Sequence, residues 1–270
     1  MLFRSATPHY RSVFHPDLFA GQVLWVTGGG SGIGRCVAHE LASLGATVVI
    51  NGRSADKLER VAAEITEDGG RCETLAFDIR DEEAVKAGVA DVVARHGRIH
   101  GLVNNAGGQF PAPMLAISKR GFEAVVANNL TGGFLMMREV FTQSLQHHGG
   151  AVVNMTADFR NGMPGMAHSG AARAGMSNLT MSAAVEWAHA GVRVNAVAPG
   201  WVASSGMDTY GGAVKAMIPK LKHHVPLRRL AAEAEVSAAI VFLLSPAAAF
   251  ITGITVQIRS EEHTSELQSH

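Results

Sequence analysis

The stretch TGGGSGIG, Thr27 to Gly34, constrains this chain more than any other, because it joins an apolar run, QVLWV, to a helix-like segment from Ile33 to Leu44. A glycine-rich turn between a strand and a helix aims backbone amides at the helix N-terminus and leaves room for a diphosphate to reach them. Glycines 28, 32 and 34 supply the tight turn and the close approach, although such a turn can also serve packing alone. The rest of the chain keeps to the same strand and helix alternation. TVVING is the expected second strand, Ala55 to Glu67 a helix with a charged face, and TLAFDI the third strand. A charged helix from Asp81 to His96 leads to HGLVNNAG, the fourth strand and its turn. Helices are expected over Ser118 to Val126, Thr131 to His147 and Gly170 to His189, with AVVNMT as the fifth strand, RVNAVAPG as the sixth and ITVQI as the beginning of a seventh.

That pattern predicts a single α/β domain, a Rossmann-type doubly wound parallel sheet of seven strands whose last strand is truncated. The 270 residues, 47% of them hydrophobic, suffice for one large core. Lys plus Arg and Asp plus Glu both total 23, so no field of one sign exists to gather nucleic acid or an anionic membrane. Small molecules and further copies of the chain are the expected partners. Cys36 and Cys72 have neither disulfide nor metal-ligand spacing, which predicts no metal site and fits a reducing compartment such as the cytoplasm. Residues 1–20 lack the apolar core of a secretory signal and read as an N-terminal arm, a transit peptide being the alternative; residues 21–258 form the domain. The charge-free stretch Val236 to Ile258 is long enough for a membrane span, but Ser245, Pro246, Thr252 and Gly253 interrupt it, so a buried helix followed by a strand is expected. Arg259 to His270, RSEEHTSELQSH, has no apolar periodicity, and an adapter commonly ligated to short-read libraries spells Arg259 to Ser269. Residues 259–270 are therefore expected to be sequencing read-through, the alternative being a natural polar tail.

The end of the second strand bears on cofactor choice. Sites for NAD place a carboxylate there to accept hydrogen bonds from the ribose 2′-hydroxyl. Here the sequence is NGRS: Gly52 carries no carboxylate, and Arg53 offers a fork of donors suited to a 2′-phosphate unless it is simply a solvated loop cation. NADP(H) is expected over NAD.

TGGGSGIG resembles the Thr-Gly-x-x-x-Gly-x-Gly pattern of the short-chain dehydrogenase/reductase family, and the resemblance runs over nearly the whole chain. It implies that Thr27, Gly28, Ser31, Gly32, Ile33 and Gly34 serve the cofactor diphosphate, and that Asp78 and Ile79 of AFDI serve the adenine. It further implies that Asn105, Ala106 and Gly107 of NNAG steady the sheet beside the cofactor. Pro199, Gly200, Val202 and Ser204 of APGWVAS are implied to lie near the nicotinamide, with Ser204 where the family usually has threonine. The family reduces carbonyls with a Ser, a Tyr and a Lys four residues after it, helped by an Asn on the preceding helix. Asn129 matches that Asn and Thr156 the Ser, but Ser169 stands at the tyrosine place and Arg173 at the lysine place.

Both proton-transfer residues are thus replaced. A tyrosine of pKa about 10 can be tuned by a neighbouring cation, whereas a serine is a far weaker acid and an arginine stays protonated. Conjugate reduction asks less: charge gathering on a thioester oxygen needs hydrogen-bond donors, not a base. Together GGQF, NNLTGGF, HSGAARAG, NLT, VAPG and FLLSPAAAFITG are similar to peroxisomal trans-2-enoyl-CoA reductases and their bacterial relatives, a branch near the 2,4-dienoyl-CoA reductases. The resemblance implies NADPH-dependent reduction of the double bond of a 2-enoyl-CoA. The loop tyrosine of the dienoyl reductases matches Asp158, and the enoyl reductases' tyrosine matches Ser177, so neither is present.

His168 is a candidate proton donor or a histidine hydrogen-bonded for structure. Asp158 is a catalytic acid, a solvated loop residue or a partner of Arg160; Ser169 is a substrate donor or a helix N-cap; Arg173 holds the cofactor ribose or a surface ion pair. Met163 to Met166 and Met207 to His224 either shape an apolar acyl slot or pack ordinarily. The family implies a homodimer or homotetramer paired through the helices near Thr131 to His147 and Gly170 to His189. A citronellol-type alcohol or aldehyde dehydrogenase and a dinucleotide-binding protein without turnover are the alternative functions.

Overall fold

The computed structural model describes residues 14–205 and 221–260. Its sheet contains β1 (Val23–Thr27), β2 (Thr47–Gly52), β3 (Arg71–Ala76), β4 (Gly101–Asn104), β5 (Gly150–Met155), β6 (Val192–Pro199) and β7 (Thr255–Ile258). All neighbours pair in parallel, in the order β3-β2-β1-β4-β5-β6-β7. The strand order reverses between β1 and β4, and a doubly wound sheet opens its ligand crevice at such a point.

Alternate residues of each strand feed separate cores. In β1, Leu24 and Val26 join the core built with α1 (Gly32–Ser43), α2 (Ala55–Glu67) and α7 (Glu233–Leu244). Val23 and Trp25 join the opposite core, with α3 (Glu82–His96), α5 (Gly132–Val140) and α6 (Ala167–Glu186). Burial on both faces is why β1, β4 and β5 read as apolar runs rather than alternating ones. Helical spacing accounts for the other half of each core: α2 buries Leu58, Val61 and Ile65, and α3 buries Val85, Val89 and Val92. The Asp81 side chain caps α3 by accepting from Ala84 N–H at 3.1 Å, and Ser118 caps α4 (Lys119–Val126) in the same way.

Three boundaries differ from the sequence reading. TLAFDI is expected to be a strand, but β3 ends at Ala76, paired with Gly52 at the end of β2. Beyond that point Phe77 N–H donates to Gly52 O at 3.0 Å and the chain leaves the sheet, placing Asp78 and Ile79 in a loop. The helix expected from Gly170 begins at Ala167, so Met166 is its N-cap and Ser169 lies within its first turn. The helix expected over Thr131 to His147 is part of a longer run in which π-turns at Ala127–Thr131 and Phe141–Leu145 flank α5. Val236 to Ile258 divides into the body of α7 and β7; among the described residues no helix is long and apolar enough to cross a membrane. Residues 1–13 of the expected arm, Met207 to Lys220 of the expected acyl slot, and residues 261–270 of the expected tail lie outside the described residues, whereas Phe19 is fully buried in the core.

Candidate functional site

The glycine-rich turn is locked by its neighbours. Gly28 and Gly32 hold φ of +67° and +59°, and a Cβ on Gly28 would stand 2.9 Å from Ala106 Cα. A Cβ on Gly34 would collide with the Gly28 carbonyl oxygen and the Asn105 amide. The buried Thr27 hydroxyl accepts from Asn105 N–H at 3.0 Å and Ala106 N–H at 2.9 Å, and the Asn105 side chain donates back to Thr27 O at 2.9 Å. The turns after β1 and β4 are thereby one rigid unit at the strand reversal. Gly34→Ala is expected to cost about 1–3 kcal/mol of stability through overpacking and to raise the Kd for NADPH. Thermal melting and fluorescence titration check it.

A cleft of about 500 Å³ opens along this unit. Gly28, Ser31, Gly32 and Ile33 line it at the α1 N-terminus, and Asn105, Ala106 and Gly107 line the side facing β4. Arg53, Asp78 and Ile79 lie at the far end. Arg80 donates to Asp78 through Nε at 2.9 Å and, with Arg53 nearby, holds its carboxyl below the usual carboxylate range. Thr27 and Gly34 sit behind the wall as supports, and Pro199, Gly200 and Val202 line a second cavity instead. Ser54 and Lys57 also line the cleft beside Arg53, a pairing that sequence reading missed. The available signal was Lys57 three residues beyond Ser54, the N-cap of α2, which faces the first turn of that helix toward the strand end.

The second cavity, about 430 Å³, adjoins the first and shares Ile33, Gln109, Met155, Arg173 and Ser204 with it. Its remaining wall includes Thr156, Asp158, Met163, Met166 and Trp201. Arg173 is buried, donates through Nη1 to Met155 O at 2.6 Å, and leaves Nε without a partner. Burial pulls its pKa down to about 10, which still leaves it charged at neutral pH. The alternative of a surface ion pair is thus corrected, since α6 turns this residue inward. Gln109, in the GGQF segment, is a junction residue that sequence reading did not single out.

The other expected catalytic residues are placed differently. Asn129 lies in the π-turn, where its side chain accepts from Gly108 N–H at 3.1 Å and donates to Gly108 O at 2.7 Å and Val125 O at 2.8 Å. It fixes the backbone that carries Gly107 and Gln109. Thr156 lines the second cavity, but its hydroxyl donates to Val197 O at 2.9 Å. Ser169 is fully buried with an unpartnered hydroxyl, and it is not an N-cap. His168 is fully buried with both ring nitrogens unpartnered and its edge or face against Phe110, ring centroids 4.5 Å apart. Neither Ser169 nor His168 reaches either cavity, because a serine ends where a tyrosine ring would continue into the junction. Ser177 is buried likewise. Asp158 pairs with Arg259, not with Arg160, since β7 delivers the buried Arg259 guanidinium beside it. Among the described residues no cluster of His, Cys, Asp and Glu suits a metal ion.

Taken as chemistry, a glycine cradle without Cβ atoms, an adjoining basic end and a buried arginine with an open Nε fit a dinucleotide laid along the cleft. The comparisons with known proteins point the same way. Residues 28–259 match the sequence family described as enoyl-(acyl carrier protein) reductase. The chain is 36% identical to a peroxisomal 2,4-dienoyl-CoA reductase of Danio rerio, over 90% of this chain and 82% of that one. It is 35% identical to a probable 2,4-dienoyl-CoA reductase of Bacillus subtilis, over 84% and 91%. Among solved structures, a citronellol catabolism dehydrogenase of Pseudomonas aeruginosa PAO1 is 61% identical and superposes with a TM-score of 0.84, covering 92% of this chain and 98% of that one.

Proposed function

The chain belongs to the short-chain dehydrogenase/reductase family of oxidoreductases, whose members bind NAD(P)(H), and from that premise we propose that it reduces the activated double bond of a 2-enoyl-CoA thioester with NADPH. The observation that carries this reading is the junction of the two cavities, where Arg173, Gln109 and Ser204 supply donors and, among the described residues, no strong acid–base pair is present. When bound, the reduced nicotinamide supplies hydride to the substrate β-carbon. Arg173 and the Gln109 amide stabilise the negative charge that gathers on the thioester oxygen. Asn129 acts as a positioning residue through Gly108. Thr156 backs the junction from the second cavity, whereas Ser169 and His168 lie buried beyond both cavities, so the α-carbon takes its proton from solvent.

NADPH rather than NADH is supported by Arg53, Ser54 and Lys57 gathered where β2 ends in a residue without a carboxylate. Met163, Pro164, Met166 and Trp201 give the second cavity the apolar wall an acyl tail needs. Exposed Phe134 on α5 and Met181 and Val185 on α6 support a homo-oligomer paired through these helices, acting in the cytoplasm.

The 61% identity to a citronellol catabolism dehydrogenase favours a second reading, oxidation of a terpenoid alcohol. Alcohol oxidation requires a base at the hydroxyl, and Arg173 cannot accept a proton near neutrality. Two assays separate the readings: NADPH oxidation with a trans-2-enoyl-CoA, and NADP reduction with citronellol. Turnover is expected in the first. Turnover confined to the second would reverse the assignment.

A further inference from the structure

Glu233 begins α7, which packs along α1, and its carboxyl reaches across to the glycine-rich turn. Its Oε1 stands 3.7 Å from the place a Cβ would occupy on Gly32, beside the Ser205 hydroxyl at 3.5 Å from the same point. Gly32 and Ser205 both line the proposed cofactor cleft, and Ser205 N–H donates to the Glu233 carboxyl. The side chain is half-buried. Burial pushes its pKa above the usual glutamate value, opposed by the Ser205 N–H and the charge of Arg35.

Among the described residues, the groups around it leave this carboxyl poorly compensated. From α1 comes Arg35, already held by Glu64 of α2 at 2.7 Å. The segment Val202–Ser205 contributes hydroxyls without charge. On α7 itself, Glu235 is taken by Arg229 at 2.5 Å. A diphosphate arriving at the α1 N-terminus therefore brings further negative charge close to a carboxyl whose nearby cation is shared.

We propose that Glu233 sets cofactor affinity from the diphosphate end, by taking up a proton from solvent as the diphosphate seats on the turn around Gly32. The inference rests on the reading of the cleft as an NADPH site. Its sign is fixed: the bound-state pKa of Glu233 exceeds the free-state one, so affinity is highest below the free-state pKa and falls as pH rises toward the bound-state pKa. A rise of one unit on binding corresponds to about a tenfold loss of affinity above both values.

Calorimetric titration with ADP-ribose, which carries the diphosphate but no 2′-phosphate to titrate, tests this in buffers of different ionisation heat. The full chain is expected to take up a fraction of a proton on binding, and its Kd to rise several-fold across the mildly acidic to mildly alkaline range. Glu233→Gln is expected to lose that uptake and to bind several-fold more tightly at alkaline pH. ADP-ribose binding with no net proton uptake by the wild-type chain, or with the same uptake by Glu233→Gln, overturns the inference alone. Absence of binding by both ADP-ribose and NADPH overturns the cofactor reading and the inference with it.

Discussion

Arg173→Met lowers kcat/KM for NADPH-dependent enoyl-CoA reduction by about two to three orders of magnitude, the size of effect seen when a preorganised donor is removed from a developing oxyanion. The guanidinium lines both cavities, is nearly all buried, and is anchored by the Met155 carbonyl oxygen at 2.6 Å. Among the described residues no carboxylate is one of its hydrogen-bond partners. Methionine replaces its volume without burying a charge, and such exchanges are often neutral or stabilising, set against about 1–3 kcal/mol for leaving Met155 O without its donor. Activity should therefore collapse while the melting temperature changes little. Arg173→Lys adds a distinct readout. The same burial that pulls the arginine to about 10 acts on a group that starts near about 10.4 and can fall by several units when buried. Because the protonated form is the active one, at saturating NADPH the lysine variant loses activity as pH rises through its lowered pKa, at a pH where the wild-type enzyme is still level. Full activity of Arg173→Met would remove this residue from the mechanism.

The parts of the fold set by local pattern were legible, and the parts set by a distant partner were not. β1 could be placed as an uninterrupted apolar run and α2 by apolar residues at helical spacing. β3 could not be ended from its own text, since the apolar run Leu75 to Phe77 passes its end and its last rung is decided by where β2 stops, at Gly52. The glycine turn and NNAG announced themselves as unusual residue types at fixed offsets. Lys57 and Gln109 did not: each is an ordinary polar residue made functional by the wall it faces. HSGAAR carries Ser169 and Arg173 at the places of the family's proton-transfer pair, and that much is visible in its composition. The depth of Ser169 and His168 depends on α6 beginning at Ala167 and on Phe110 covering the imidazole, and neither contact leaves a trace in the sequence.

Cofactor preference should invert with few substitutions at the end of β2. Arg53→Ala with Lys57→Ala removes two cations from the far end of the cleft, and the Kd for NADPH is expected to rise by about 10²- to 10⁴-fold, from roughly 1.5–3 kcal/mol per charge-assisted hydrogen bond. The Kd for NADH, which lacks the 2′-phosphate, should remain within a few-fold. Adding Gly52→Asp tests the converse. A Cβ at Gly52 meets Leu58 Cδ2 at 3.5 Å, an ordinary contact, and its backbone is not in the left-handed region, so a side chain fits without strain. The new carboxylate would repel a 2′-phosphate and accept hydrogen bonds from a 2′-hydroxyl, raising NADH affinity as NADPH affinity falls. The two effects differ in salt dependence. Loss of the cations flattens the fall of NADPH affinity with ionic strength, because the screened attraction is gone, whereas NADH binding to the triple variant gains a hydrogen bond that salt barely touches. Parallel titrations with both cofactors at low and high salt read out all of this. An unchanged preference ratio in the triple variant would place the 2′-phosphate elsewhere and return the choice between NAD and NADP to other residues of the cleft.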